Sequence, residues 1–504
     1  MREKAVLYCV KLLPRIKSKR ELEKLRRASA EKFGLSEPVR CFDVFNALNE
    51  KEKEKYAHLL KTRFVKSASG VTVVAVMTAP MPCPGKCWFC PPSILAAKSY
   101  TGFEPAALRS RQNNFDARLQ VLHRLKQLTS QGHNPEKCEV IIMGGTFNSL
   151  PLDYQHSFVK GVYDGFNGFI SNSVDEAVQL NEKARYRVIG LTFETRPDWI
   201  NEKFLNEFLS FGGTRLEIGV QSLNDAVLKK VERGHGVKEV VQATRLAKEK
   251  FFKVCYHFMP GLYSTKEKDV EMFKRLFSDE RFKPDMIKIY PCLVVPGARL
   301  FQEWKQGRFK PYGTKEAVDV VSECMRFVPE YCRVMRINRD IPVTKIADGV
   351  VNSNLRQLVD AECDKKGIEL RDIRSREIGL AKKKISKTKL NRIDYEASNG
   401  KELFLSIDSG KDLVGFLRLR VNEDERVGVR ELRVFGEQVN IGKKVGGAVQ
   451  HHSFGKKLLS EAERIALEEF DARKLFVISG VGVREYYSRQ GYYFEKPYMV
   501  KELS

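Results

Sequence analysis

Three cysteines, Cys83, Cys87 and Cys90, are spaced C-x3-C-x2-C in the segment MPCPGKCWFCPP (81–92). Three thiolates at this spacing can hold three irons of a [4Fe–4S] cluster and leave the fourth iron open. An open iron can bind the amino and carboxylate groups of S-adenosylmethionine, and one electron then cleaves the sulfonium to a 5′-deoxyadenosyl radical. The competing reading is zinc, which asks for a fourth Cys or His nearby. None stands within thirty residues downstream, so the sequence favours the cluster. Met143-Gly144-Gly145-Thr146-Phe147 ends an apolar run, and glycines there let backbone approach a ligand closely. The methionine amino group of the cofactor is the natural ligand; a plain strand-to-helix turn is the alternative.

Further polar residues end apolar runs: Glu194 and Arg196 in FETRPD, Gln221 and Ser222 in GVQS, Lys288 and Tyr290 in KIYP. Each is a candidate site residue or a structural ion pair or cap. A second constellation lies near the C-terminus, at Gln450-His-His-Ser-Phe454-Gly455-Lys456, just before a helical pattern. Backbone N–H groups at a helix start form an anion cradle, suited to the pyrophosphate of a nucleotide such as CoA. His451 and His452 are neighbours on a loop without a carboxylate pair, so they read as surface or RNA-facing residues, not metal ligands. Tyr486 and Tyr487 serve either core packing or a thioester.

These residues need a scaffold. Apolar, β-branched runs at 71–76, 139–145, 188–194, 214–220, 253–259 and 286–291 alternate with helical patterns. Runs too apolar to alternate indicate parallel strands covered on both faces. Six strand–helix units predict a partial (β/α)6 barrel with its chemistry at the C-terminal strand ends. The predicted organisation is a basic helical segment over 1–70, the barrel over 71–310, a basic connector over 311–400 and a second domain over 401–504. That domain reads as α+β: strands at 403–407, 413–421 and 429–435, a loop with Gly442, Gly446 and Gly447, a helix over 454–470 with Leu458, Leu459, Ala462, Ile465 and Ala466 on one face, and further strands at 474–479 and near 498–503.

The 504 residues carry 88 Lys and Arg against 64 Asp and Glu, a net +24. Residues 1–70 hold 18 basic against 9 acidic residues, and a second basic run extends from Arg371 to Arg392. Clumped cations favour a polyanion such as nucleic acid, through release of its counterions. No apolar run is long enough to cross a membrane and no secretory signal is present, so a cytoplasmic location is expected. The other cysteines stand alone and predict no disulfide framework; Cys324 and Cys332 match no metal spacing.

The motifs, in order, are similar to those of one family. They are the cysteine loop, SYTGFEP (99–105), IIMGGTFNSLP (141–151), FETRPD (193–198), TRLEIGVQS (214–222), RGH (233–235), MIKIYP (286–291), RINRDIP (336–342), VRELRVFG (429–436), AERIA (462–466), ISGVGVREYYSRQGY (478–492) and PYMVKEL (497–503). From about residue 70 onward the chain resembles the catalytic subunit of Elongator and its stand-alone archaeal and bacterial counterparts, the tRNA uridine carboxymethyl synthases. The resemblance implies a radical-SAM barrel followed by a GNAT-type acetyltransferase domain. It implies acetyl-CoA held by the backbone of Glu431, Leu432, Arg433 and Val434, by Phe454, Gly455 and Lys456, and by Tyr487, with Lys137 reaching over from the barrel. We assign Gly144, Gly145, Thr146, Glu194, Arg196 and Gln221 to cofactor binding, and Lys288, Tyr486 and Tyr487 to the chemistry. Two departures stand out: Pro91-Pro-Ser93 replaces the usual PGG, and Ser453 replaces a glycine of the CoA loop.

The implied reaction takes hydrogen from the methyl of acetyl-CoA, adds the carbon radical to C5 of the wobble uridine and hydrolyses the thioester to leave 5-carboxymethyluridine. Its partners are tRNA, acetyl-CoA and an electron donor the sequence does not name. The chain is expected as a monomer or homodimer without required accessory subunits. The rivals are a protein lysine acetyltransferase with a structural iron–sulfur domain, for which Glu431 offers a base, and an RNA-binding scaffold. Intact cysteines and an intact GGTF segment argue against the scaffold. A basic protein is a poor dock for basic peptide tails.

Overall fold

The computed structural model describes residues 1–60, 70–131, 133–381, 385, 387–436 and 453–504. The six expected barrel strands all form: β1 Thr72–Met77, β2 Lys137–Met143, β3 Arg187–Thr195, β4 Gly213–Gln221, β5 Lys253–Phe258 and β6 Met286–Ile289. They pair in chain order and all in parallel. β4 is buried along nearly its whole length, as expected where helices cover one face and packed side chains the other. Side chains of Asp116, Ser173, Asn201 and Asn224 accept backbone N–H groups at the starts of the crossover helices.

The barrel does not stop at six strands. β7 (Arg333–Ile337) adds in parallel to β6, inside the stretch expected to be a connector. Its sequence, RVMRI, hides a strand behind two arginines. Arg333 is buried nonetheless, because Glu377 accepts its guanidinium at 2.8 Å. The connector is further shortened by β8 (Lys389–Glu396), an edge strand of the second domain. Its side chains are mostly polar and partly exposed, so no apolar alternation marked it.

The second domain is a seven-stranded mixed sheet in the order β13-β14-β12-β11-β10-β9-β8. The remaining strands are β9 Gly400–Ser409, β10 Asp412–Asn422, β11 Val427–Val434, β12 Lys474–Val477, β13 Tyr493–Glu495 and β14 Tyr498–Glu502. The helix Phe454–Phe470 buries the five predicted apolar residues. Among the described residues, β11 and β12 are the one parallel strand pair in this sheet. They pair only over Val427–Val429 and Leu475–Val477, so the two strands part beyond Val429.

This sheet packs on the N-terminal ends of the barrel strands. Gly428 lies against Phe251, and any side chain at Gly480 would strike the backbone at Ile189. A buried ion network crosses the contact: Arg430 binds Asp285 at 2.5 Å and Glu402 at 2.9 Å, Arg418 reaches Asp285, and Lys248 reaches Glu402 at 3.3 Å. Residues 1–60 form a separate helical unit with its own apolar core, including Val6, Leu13, Leu22, Val44 and Leu59.

Candidate active site

The cysteine loop leaves the C-terminal end of β1 and folds over the barrel mouth. Cys83, Cys87 and Cys90 all line one large cavity. Cys87 is buried, and its thiol is pulled down to about 5, first by the Cys90 thiol and then by Arg233 and Arg196, against the opposing effect of burial. Three thiols around one cavity, of which Cys87 is lowered and Cys90 is raised by its bond to Cys87 and by burial, fit a cluster with one open iron. Beneath the loop, Arg196 is clamped to Asp198 at 3.0 and 2.8 Å. Its guanidinium fills the space that a side chain at Gly85 would need.

The Gly-Gly turn does more than approach a ligand. A Cβ at Gly144 would come within 2.7 Å of Thr78, and one at Gly145 within 2.9 Å of the Lys98 carbonyl. Both N–H groups point at Glu194, at 3.2 and 3.5 Å, and the Tyr100 hydroxyl donates to the same carboxylate at 2.7 Å. Thr146 and Gln221 also line the cavity. Gln221 sits at φ +69°, a strained position for a residue with a Cβ.

Lys288 lines the same cavity as the cysteines, Glu194 and Gln221. Its ammonium and the His257 imidazole both meet Glu217. Burial alone would raise the Glu217 carboxyl; Lys288, His257 and Arg215 hold it well below the usual range instead. Glu217, Cys255 and His257 are close enough to suggest a metal site, but the Lys288 ammonium already occupies the carboxylate.

At the other end of the cavity stands Arg433 of β11. Its guanidinium donates to Glu139 of β2 at 3.0 Å. Lys137 begins the same strand, at the same end of the barrel. Glu431 accepts from Arg418 at 3.0 Å, so its carboxylate is engaged. Ser453 adopts φ +57°, the left-handed conformation that a glycine would take there. A Cβ at Gly455 would sit 3.0 Å from the Tyr486 hydroxyl and 3.7 Å from Val434. That hydroxyl is buried with no partner among the described residues, which fits a ligand passing the helix start. Tyr487 is buried and packs edge-on against Tyr486 and Tyr492. Leu432 packs on the core, and Phe454 and Lys456 open the helix. Gln450, His451, His452 and the glycines of the preceding loop lie outside the described residues.

The cavity has a volume of about 810 Å³ and is lined by residues of both edge strands, β1 and β7. Arg109, Arg124, Arg333, Arg336, Arg339 and Arg374 are part of its lining. Burial lowers Arg109 to about 10.

Comparison with known proteins bears directly on this arrangement. Residues 82–277 match the radical SAM superfamily and 284–365 match a radical SAM C-terminal domain. The chain is 44% identical to a tRNA uridine(34) acetyltransferase of Methanocaldococcus infernus, covering 94% of this chain and 93% of the relative. It is 40% identical to Elongator complex protein 3 of Homo sapiens, over 96% and 93%. The chain belongs to the Elongator complex protein 3 family. The solved structure of the Methanocaldococcus infernus Elp3 with an N-terminal deletion (1–46) matches with a TM-score of 0.77 at 42% identity, over 86% of this chain and all of that one. As a member of the radical SAM superfamily, this Elp3-family chain is an enzyme that uses a [4Fe–4S] cluster and S-adenosylmethionine. None of its described helices is long and apolar enough to cross a membrane.

Several residues of the site escaped the sequence reading. Tyr100, Glu217 and Arg233 lay inside quoted motifs but were not singled out. Glu139 and His257 lay in apolar runs, with no local signal beyond a polar residue inside a buried strand.

Proposed function

We propose that the chain modifies the wobble uridine of tRNA to 5-carboxymethyluridine, joining radical chemistry at the cysteine loop to acetyl-CoA at the second domain. One observation carries this reading: a single cavity is lined at one end by Cys83 and Cys87 and at the other by Arg433 of the acetyl-CoA strand. Its size falls within the range of about 300–1,000 Å³ for ligand sites. Bound there, the cluster and S-adenosylmethionine supply the 5′-deoxyadenosyl radical and acetyl-CoA the two-carbon unit.

The chain's own residues do the rest. Gly144, Gly145 and Glu194, braced by Tyr100, hold the methionine end of the cofactor; Arg196 and Gln221 flank it. The parting of β11 from β12 leaves backbone groups of Glu431–Val434 for pantetheine. Phe454, Gly455 and Lys456 receive the pyrophosphate, with Tyr486 and Tyr487 near the thioester and Lys137 reaching from β2. Arginines lining the cavity attract the anticodon backbone, and the bound ligands exclude water from the radical. The helical unit of residues 1–60 and the basic run 371–392, of which Lys382, Lys383 and Lys384 lie outside the described residues, hold the tRNA body. Lys288, paired with Glu217, keeps the cavity floor charged and dry. Such an enzyme works in the cytoplasm.

Transfer of acetyl to a protein lysine is disfavoured, because Glu431 is bound to Arg418 and offers no free base. The test is anaerobic reconstitution with S-adenosylmethionine, acetyl-CoA, a low-potential reductant and tRNA, with nucleosides read by mass spectrometry. 5-Carboxymethyluridine and 5′-deoxyadenosine should appear together and both vanish in Cys87→Ala. Consumption of acetyl-CoA that needs neither tRNA nor the cysteines would refute the proposal.

A further inference from the structure

Arg233 has a peculiar environment. Its side chain is buried, at 5% exposure. One terminal nitrogen donates to the Cys87 sulfur at 3.2 Å, and the other to the Gly219 carbonyl at 2.5 Å. Among the described residues no carboxylate pairs with it. Arg196, one layer away, is neutralised by Asp198. A guanidinium stays charged, and a buried cation without a counter-ion is costly. Among the described residues, the partner left for this cation is the Cys87 sulfur, which is anionic once it ligates a cluster.

The contact is fixed by backbone. The Trp88 N–H donates to the Val231 carbonyl at 3.1 Å, which ties the loop to the turn carrying Arg233. A Cβ at Gly219 would lie 2.6 Å from the guanidinium, so glycine on β4 makes its seat. Phe89, 5.9 Å from the guanidinium carbon, closes the apolar side.

We infer that Arg233 sets the reduction potential of the cluster bound by Cys83, Cys87 and Cys90. Adding one electron to a three-thiolate cluster adds one negative charge. A hydrogen bond and a full positive charge at a ligating sulfur favour that more negative state, so they raise the potential. Arg233 thereby makes the cluster easier to reduce by a one-electron donor, without touching the substrate. It is a positioning residue for charge. Arg196 contributes much less, because Asp198 cancels it.

The experiment is potentiometric titration of the reconstituted full-length protein, followed by electron paramagnetic resonance of the reduced cluster. In Arg233→Gln the reduced-to-oxidised ratio at a fixed potential should fall about tenfold, a shift of 59 mV downward for a one-electron couple. Arg233→Lys, which keeps the charge, should recover most of it, and Arg196→Gln should move the ratio by less than about threefold, on the same scale. A second measurement needs no variant: protein labelled with 15N in the arginine guanidinium should show 15N hyperfine coupling to the reduced wild-type cluster. An Arg233→Gln ratio within about threefold of wild type, or absence of that coupling, overturns the inference. A raised KM for S-adenosylmethionine with an unmoved potential also overturns it and makes Arg233 a cofactor ligand. The inference rests on the iron–sulfur reading of the three cysteines, and the first step separates the two. Wild-type protein that takes up no iron defeats the cluster itself, whereas a loaded cluster with an unmoved potential defeats only Arg233.

Discussion

The Glu194 carboxylate takes the Tyr100 hydroxyl and the N–H groups of Gly144 and Gly145, the turn proposed to hold the methionine end of the cofactor. Hydrogen bonds to a charged acceptor contribute about 1.5–3 kcal/mol each. Glu194→Gln should therefore weaken S-adenosylmethionine binding roughly tenfold while leaving iron content unchanged, as calorimetry and iron analysis would show. Lys288 makes a different argument. Removing its ammonium leaves Glu217 buried with only His257 and Arg215 nearby, so Lys288→Met should cost about 3–5 kcal/mol in a denaturant titration. Adding Glu217→Gln should restore part of the loss; if the double variant is no more stable than the single one, the pair is not coupled. The cysteines were legible in the sequence because their chemistry is set by spacing along twelve residues of loop (81–92). Glu217 and Arg233 were not, because what defines them is a partner 71 or 146 residues away.

At the level of elements, the strand–helix repeat announced the barrel, since parallel strands buried on both faces print an unbroken apolar run. The same rule concealed β7 and β8, whose buried or edge positions are filled by paired arginines and other polar residues. The join of β2 to β11 also left no local mark, and it is electrostatic. Burial would raise the Glu139 carboxyl, but Arg433, Arg215 and Lys253 outweigh it and bring it to about 2. A carboxyl depressed in the folded state stabilises fully above its unfolded pKa of about 4.3 and loses that contribution as pH falls through its folded value. The shift corresponds to about 3 kcal/mol. The stability difference between wild type and Glu139→Gln should shrink by that order between pH 4.5 and 2 in parallel urea titrations. At the start of the acetyl-domain helix, Ser453 holds φ +57°, which costs an L-residue roughly 1 kcal/mol. Ser453→Gly should relieve part of this, raising the melting temperature by about one degree or less in a chain of this size. A lower melting temperature would show that the serine makes a compensating bond.

For the molecule as a whole, the excess of 24 positive charges pointed to a polyanionic partner, but composition could not say where the two domains meet. They meet through buried charge. Arg418, Arg420 and Arg430 are among the largest fully buried side chains, and each is an ordinary polar residue in an alternating strand when read along the chain. Their carboxylate partners are split between the halves: Asp285 belongs to the barrel, Glu402 and Glu431 to the second sheet. Separating the domains breaks the pairs that Arg418 and Arg430 make to Asp285, and removing one partner while the other stays buried costs about 3–5 kcal/mol. The two domains should therefore unfold in one transition, although chains of this size often unfold in steps. Arg430→Met leaves Asp285 short of its main partner and Glu402 with Arg420 and Lys248. It should lower stability by that same amount and split the single calorimetric peak into two, because the interface that couples the domains is the part it weakens. One unsplit peak at a lower temperature would place the coupling in the apolar contacts at Gly428 and Gly480 instead. Two peaks already present in the wild type would mean that the ion network aligns the two sites without joining their stabilities.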